Sequence, residues 1–208
     1  TKITFYMPNV IVHSLFTDFD INLFKGGKHY RLYEKLGSHL VEVDGVKGTY
    51  FAVWAPSAKT VSVVGNFNSW DVQEHQLNVR WDSSGIWEGF IPNIGKGEIY
   101  KYNIQSNNND IWTEKADPFA KYCEHPPNTA SIIWTSEHDW KDDAWMGYRK
   151  DKNGLDKPYS VYEVHLGSWK KNAENKFLTY KEFAIDLVDY VKEMGYTHVE
   201  FMPIMEYP

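Results

Sequence analysis

The 208-residue sequence is poor in cysteine, because Cys123 is the only one and no internal disulfide can form. Disulfides are found mainly in oxidising compartments, so this shortage favours a cytoplasmic protein. The sequence also lacks a basic cluster, and 22 Lys and Arg against 28 Asp and Glu leave a formal charge of -6. A nucleic acid is therefore not expected as a partner.

Long apolar runs are absent as well, whereas a membrane-spanning helix needs about 20 consecutive apolar residues. The first residues do not form the charged and apolar regions of a signal peptide, so we expect no membrane partner. Cys123 and His125 have the spacing Cys-x-His without a second cluster, which is poor spacing for zinc. We expect no metal and no cofactor.

Aromatic residues, in contrast, are abundant, with 9 Trp, 14 Tyr and 11 Phe. Eight of the nine Trp precede residue 150. An indole is a large, flat, amphipathic ring that can fill a core or present a face on which a sugar ring stacks. Because few binding sites need more than two or three such rings, we expect most of the Trp to lie in the core.

Residues 38 to 134 show short alternating segments separated by turn formers such as Asp44-Gly45 and Asn93–Gly97. This pattern is typical of an immunoglobulin-like β-sandwich, although the Cys…Trp…Cys signature of true immunoglobulin domains is missing. The predicted strands are His39–Val43, Thr49–Trp54, Thr60–Val64, Gly85–Ile91, Glu98–Gln105, Ile111–Thr113 and Ser131–Trp134.

After a polar stretch the pattern changes to strand, helix and strand. Tyr159–Leu166 and His198–Met202 are predicted strands, and Thr179–Met194 is a predicted helix with a Thr179–Glu182 capping box. Such a unit places two parallel strands side by side through a right-handed crossover. Its 50 residues amount to a fifth of the ~250 in a (β/α)8 barrel, so we predict the first βαβ of a truncated barrel.

The fold class predicted is therefore mainly β, a sandwich followed by this βαβ unit. The predicted organisation is a segment over residues 1–24, a β-sandwich module over 25–136, a linker over 137–158 and the start of the barrel over 159–208. Whether the first segment ends a preceding domain or adds a strand to the sandwich stays open at this point.

Six segments occur in a characteristic order along the chain: Tyr30–Gly37, His39–Gly48, Phe51–Pro56, Val63–Asp71, Tyr162–Trp169 and Gly195–Pro203. In this order they resemble the glycogen-binding module and first barrel strands of bacterial 1,4-α-glucan branching enzymes, members of the α-amylase superfamily. The Asn66–Trp70 element alone is shared more widely, with debranching relatives and a glycogen-binding module of a kinase regulatory subunit.

This resemblance implies a glycosyltransferase of glycogen biosynthesis that cuts an α-1,4-linked glucan and rejoins the piece through an α-1,6 linkage. Retaining enzymes of this kind use one carboxylate as nucleophile and one carboxylic acid as general acid/base. In the family these groups belong to later barrel strands, so no catalytic residue is expected in this sequence, which by itself should be inactive.

The resemblance also implies a maltosaccharide-binding platform made of Trp70, Lys101 and Trp112. Trp70 follows a turn and is expected at the surface. Lys101 lies between two tyrosines in a strand, so it points outward if they face the core. The alternative is structural, with Trp70 covering the sandwich edge and Lys101 on an ordinary solvated face.

Three other functions are compatible with parts of the pattern. They are a non-catalytic α-glucan-binding module, the same region of a glycogen-debranching or trehalose-forming relative, and an immunoglobulin-type protein-interaction domain. The barrel-like tail argues against a pure binding module, and the segments His39–Gly48 and Tyr162–Trp169 favour branching over debranching.

Overall fold

A computed structural model describes residues 9–204 of the chain. The chain divides into two compact units, the first ending at Glu137 and the second beginning at His138. Residues 1–8 and 205–208, which belong to the predicted first segment and the predicted barrel, lie outside the described residues. In the part of the chain that is described, no helix is long and apolar enough to cross a membrane.

The first unit contains two antiparallel sheets. Its strands are β1 (Gly37–Val43), β2 (Val46–Trp54), β3 (Ala58–Gly65), β4 (Asn78–Val79), β5 (Ile86–Pro92), β6 (Ile99–Ser106), β7 (Trp112–Lys115), β8 (Tyr122–Cys123) and β9 (Ser131–Ile132). The first sheet has the order β1-β2-β5-β4. The second has the order β3-β6-β9-β8, and β7 also pairs with β6. The predicted β-sandwich is confirmed.

The core lies between the inner faces of the two sheets. Alternate residues of the strands point into it, as the period of two in a β-strand requires. Among its members are Phe51, Val53 and Ile91 from the first sheet and Val61, Val63, Tyr100 and Tyr102 from the second.

The expectation that most of the Trp fill this core is wrong. Trp87 is the only Trp with a buried side chain among the described residues, and its indole donates to the carbonyl of Ala55 at 3.1 Å. Phenylalanine, tyrosine and β-branched residues fill the space instead. Six Trp have exposed side chains, which leaves more indole surface for ligands than the sequence indicates.

The described part of the amino-terminal segment packs on the sandwich. Ile11 and Phe90 exchange backbone hydrogen bonds of 2.7 and 2.9 Å, and helix α1 (Asp18–Lys25) follows a Thr17 capping box. Phe16 and Ile21 are buried in a second apolar cluster on the outer face of the first sheet. This segment therefore covers one of the two outer faces of the sandwich.

The second unit contains helices α2 (Asp143–Lys152), α3 (Leu166–Trp169) and α4 (Tyr180–Glu193) and strands β10 (Val161–Val164) and β11 (His198–Phe201). The two strands pair in parallel, and α4 connects them with Thr179 as its N-cap. Helix α2 lies within the stretch predicted as a linker. The strand–helix–strand order is present, while its assignment to a barrel stays a prediction.

Candidate functional site

Strand β6 presents polar residues on the outer face of the second sheet. Tyr100 and Tyr102 point into the core with fully buried side chains. Lys101 lies between them and Asn103 follows Tyr102, so both point to the outer face. On one side of β6, Val64 of β3 is the register partner of Lys101. This alternation gives Lys101 the outward position that the sequence indicated.

Trp112 lies on the same outer face. In the pairing of β6 with β7, Gln105 is opposite Trp112 and Asn103 is opposite Glu114, and directly paired residues share a face of the sheet. The Trp112 side chain is 44% exposed. We call the surface made by Lys101, Asn103, Gln105, Trp112 and Glu114 the outer platform.

The third predicted residue, Trp70, lies in the loop that follows β3. The last residue of β3, Gly65, is the register partner of Tyr100, so this loop leaves the sheet beside Lys101. The Trp70 indole is half-buried rather than fully exposed, and its Nε1 donates to Oδ1 of Asn66 at 3.0 Å. Trp70 thus lies near the Lys101 end of the outer platform.

The Trp70 loop has an unusual backbone. Ser69 and Trp70 have φ angles of 53° and 62°, in the left-handed region that bulky residues rarely adopt. Residues held in such conformations cost about 1–3 kcal/mol each and persist only where the surroundings determine them. Five other non-glycine residues, Asp44, Ser83, Asn93, Asp110 and Asn175, also have positive φ angles, so this conformation shows that Trp70 is restrained and does not by itself mark a ligand site.

Asn68 anchors this loop from below. Its buried side chain accepts from the Gly65 amide at 3.0 Å and donates to the Val63 carbonyl at 3.0 Å, while its Nδ2 lies 2.9 Å from Nδ1 of His75. Burial lowers the pKa of His75, against the opposing charge effect of Glu74. A neutral His75 can accept from the Asn68 amide, and sequence reasoning missed both residues.

Two further polar groups of the outer platform, Glu114 and Asn103, are not among the predicted binding residues. Lys101 Nζ lies 3.6 Å from Oε2 of Glu114, which keeps the half-buried cation within the platform. The Oδ1 atom of Asn103 is buried without a hydrogen-bond partner. An unpaired buried polar atom costs about 1–3 kcal/mol, and the Asn103 side chain, only 5% exposed, lies beneath the surface of the platform. Alternation along β6 and β7 could have identified both residues.

The turn that precedes Trp112 is tied to the neighbouring strands. Asp110 Oδ1 receives hydrogen bonds from Lys59 Nζ at 2.8 Å and Gln105 Nε2 at 3.2 Å. These contacts restrain the start of β7 and hence the Trp112 ring.

Within residues 9–204, no group of three or more His, Cys, Asp or Glu is arranged to hold a metal.

Chemically, the outer platform combines flat apolar rings with hydrogen-bonding groups. An indole face suits the C–H face of a sugar ring, and ammonium, amide and carboxylate groups can bind its hydroxyls. The platform contains no pair of carboxylates placed for acid–base chemistry around a bond, since Glu114 is its one acidic residue. The arrangement is suited to binding rather than to catalysis.

Comparison with known proteins agrees with this architecture. Residues 35–120 match the profile of carbohydrate-binding module 48, described as the isoamylase N-terminal domain. The chain is 54% identical over 192 residues to the 1,4-alpha-glucan branching enzyme GlgB of Albidiferax ferrireducens, and 50% identical over 197 residues to that of Aquifex aeolicus. These matches cover 92% and 94% of the chain.

The chain is homologous to 1,4-α-glucan branching enzymes. The resemblance noted from its motifs is thereby confirmed. The matches span 30% and 31% of the two branching enzymes' own length, so the chain corresponds to their amino-terminal part.

Solved structures give the same fold at much lower identity. The apo pullulanase of Klebsiella pneumoniae matches with a TM-score of 0.56 and 21% identity, over 83% of this chain and 20% of the pullulanase chain. The GBS pullulanase SAP in complex with maltotetraose matches with a TM-score of 0.53 and 18% identity, over 83% and 24%. At this level of identity the likeness to pullulanases concerns the fold alone.

Proposed function

We propose that the outer platform, together with Trp70, binds α-1,4-linked glucan such as glycogen or a malto-oligosaccharide. The observation that carries the proposal is the common face of Lys101 and Trp112, with the strained Trp70 loop leaving the sheet beside Lys101. Two indoles separated by an ammonium group match a ligand that alternates apolar ring faces with hydroxyls. The match to a carbohydrate-binding module supports this ligand class.

For the parent protein we propose the activity that the homologues' name states, branching of α-1,4-glucan. Transfer of a glucan segment to form an α-1,6 branch requires a carboxylate nucleophile and a general acid/base. We assign neither role to any residue of this chain. In this proposal the chain binds the glucan, and the remainder of the enzyme breaks and forms the glycosidic bonds.

The second unit fits the start of a (β/α)8 barrel in this proposal. An apolar groove of about 250 Å³ runs along α4, lined by residues such as Leu166, Phe183, Leu187 and Phe201. In a barrel, neighbouring strands and helices cover such faces.

A cytoplasmic location also belongs to the proposal, supported by the single cysteine.

Competing functions differ in what they predict for ligands. A protein-interaction domain of immunoglobulin type should give no response to oligosaccharide. A debranching or trehalose-forming relative would share glucan binding, but the 54% identity to a branching enzyme favours branching. A purely adhesive module would bind glucan but would belong to a protein without a catalytic domain. An assay of branching activity in the longer protein separates an adhesive module from a branching enzyme.

The test is calorimetric titration of the chain with maltoheptaose. Trp70→Ala and Trp112→Ala should each weaken binding about tenfold, the equivalent of ~1.4 kcal/mol, because each removes one stacking face. Trp81→Ala is the matched control, since this indole is 84% exposed in the turn between β4 and β5 of the first sheet. Absence of binding in the unmodified chain, or equal affinity in all four proteins, would refute the proposal.

A further inference from the structure

The outer face of the second sheet continues beyond the outer platform. Toward its start, β6 pairs with β9 instead of β7, and Ile99 is the register partner of Ile132. Ile132 is in turn paired with Tyr122 of the edge strand β8. Ile99 lies two residues before Lys101, so Ile132 and Tyr122 share the outer face with Lys101.

An aromatic pair lies at this end of the face. The rings of Tyr122 and Trp134 have centroids 4.9 Å apart with an interplanar angle of 41°. Their side chains remain 44% and 37% exposed. Ile133 between Ile132 and Trp134 is completely buried in the core, which agrees with an outward Trp134.

The position of the Trp134 ring is restrained by a cation. Lys96 Nζ lies 4.3 Å from the ring centroid, within the range of a cation–π interaction. The same ammonium group forms an ion pair with Glu137. The Trp134 ring thus contacts both a cation and a tyrosine and still keeps 37% of its surface exposed, with hydrogen-bonding groups at its border.

The two aromatic regions are far enough apart to require a long ligand. Along β6, the partner of Trp112 is Gln105 and the partner of Ile132 is Ile99. Six residue steps at about 3.3 Å each give a separation of about 20 Å. Lys101 lies between them, so polar contacts are available along the way.

We propose that Tyr122, Trp134 and Lys96 form a second sugar-stacking subsite, so that the second sheet binds an extended α-glucan rather than a few sugar units. This inference rests on the proposed glucan binding and adds the length of the ligand to it. If Tyr122 and Trp134 served only to cover the edge strand β8, we would expect both rings to be buried. Instead, both rings keep more than a third of their surface exposed. The continuity of this face with the outer platform, and the ammonium and carboxylate beside the rings, favour a sugar over an apolar protein segment.

The experiment compares the affinity of the full chain for maltotriose and maltoheptaose. In the unmodified chain the longer ligand should bind more tightly. Trp134→Ala and, as a second variant, Tyr122→Ala should weaken maltoheptaose binding roughly three- to tenfold, as expected for one lost aromatic contact, and change maltotriose binding less than about twofold. Trp81→Ala again serves as control, and circular dichroism of each variant checks the fold.

The outcomes separate this inference from the proposed function. If Trp70→Ala weakens both ligands while the Trp134 and Tyr122 variants keep the unmodified ratio of affinities, the second subsite is refuted and glucan binding at the platform stands. The second subsite is also refuted if the Trp134 and Tyr122 variants weaken both ligands equally. If Trp70→Ala and Trp112→Ala leave both ligands unaffected, the proposed function itself fails.

Discussion

Trp70 combines a strained backbone with several restraints. Its amide donates to the Gly65 carbonyl at 2.9 Å, its indole donates to Asn66, and Asn68 holds the turn beneath it. A left-handed tryptophan would relax if these contacts were lost. The loop is therefore prearranged, which lowers the conformational cost of binding a ligand.

His75 makes this arrangement sensitive to pH. Burial lowers the pKa of His75 in the folded chain below its ordinary value of about 6.5, so the unfolded chain binds a proton first as the pH falls. The stabilising effect of a neutral His75 is complete above about pH 6.5 and is lost as the pH falls toward the lowered pKa. Protonated Nδ1 would then face the Asn68 amide, donor against donor.

We expect maltoheptaose affinity and thermal stability to fall together as the pH falls below about 6.5 toward the lowered pKa of His75. Burial also lowers the pKa of His39, so stability alone does not identify the group responsible. His75→Asn should keep glucan binding flat over this window, whereas His39→Asn should keep the fall. A pH-independent affinity in the unmodified chain would contradict the role given to His75.

At the scale of elements, β6 organises the site. It pairs with β3 along one edge and with β7 and β9 in succession along the other, so every platform residue lies on β6 or is a register partner of a β6 residue. The junction of β3 and β6 is especially tight. A Cβ at Gly65 would lie 2.2 Å from the Ile99 carbonyl oxygen and 2.6 Å from the Phe67 ring.

Gly65→Ala should therefore separate β3 from β6 and destabilise the first unit by about 2 kcal/mol or more, as overpacking of a backbone contact does. Gly95→Ala is the control, because nothing lies within 4 Å of its Cβ position. Chemical denaturation monitored by tryptophan fluorescence measures both. Equal midpoints for the two variants would show that this junction tolerates a side chain.

The elements also show where sequence patterns succeed. Alternation around Lys101 was sufficient to place it outward, and the Thr179 capping box fixed the start of α4. The register of Trp112 could not be derived, since the turn between β6 and β7 does not by itself determine pairing. Strands β4 and β8 have two residues each, too few to show alternation.

Helix α1 illustrates a signal that was present but unused. Thr17 and Asp20 form a capping box, with Asp20 Oδ2 accepting from the Thr17 amide at 2.8 Å.

The contact between Tyr122 and Trp134 could not be predicted from the sequence, for a different reason. They are 12 positions apart and meet only through the pairing of β8 with β9.

On the scale of the first unit, its two outer faces differ. The described amino-terminal segment covers the first sheet and is tied to it by a buried network in which Glu88 accepts from Ser14 at 2.9 Å and from Tyr50 at 2.5 Å. Arg80 forms an ion pair with the same carboxylate. The second sheet keeps its exposed aromatic rings on its outer face. This asymmetry explains why glucan binding is assigned to the second sheet.

The most direct test of this assignment is a maltoheptaose titration followed through the indole N–H resonances of the nine Trp. The second-sheet account predicts that the Trp70, Trp112 and Trp134 signals shift with one common dissociation constant, while those of Trp54 and Trp81 remain in place. Shifts confined to Trp54 and Trp81 would move the glucan to the other sheet and contradict the account.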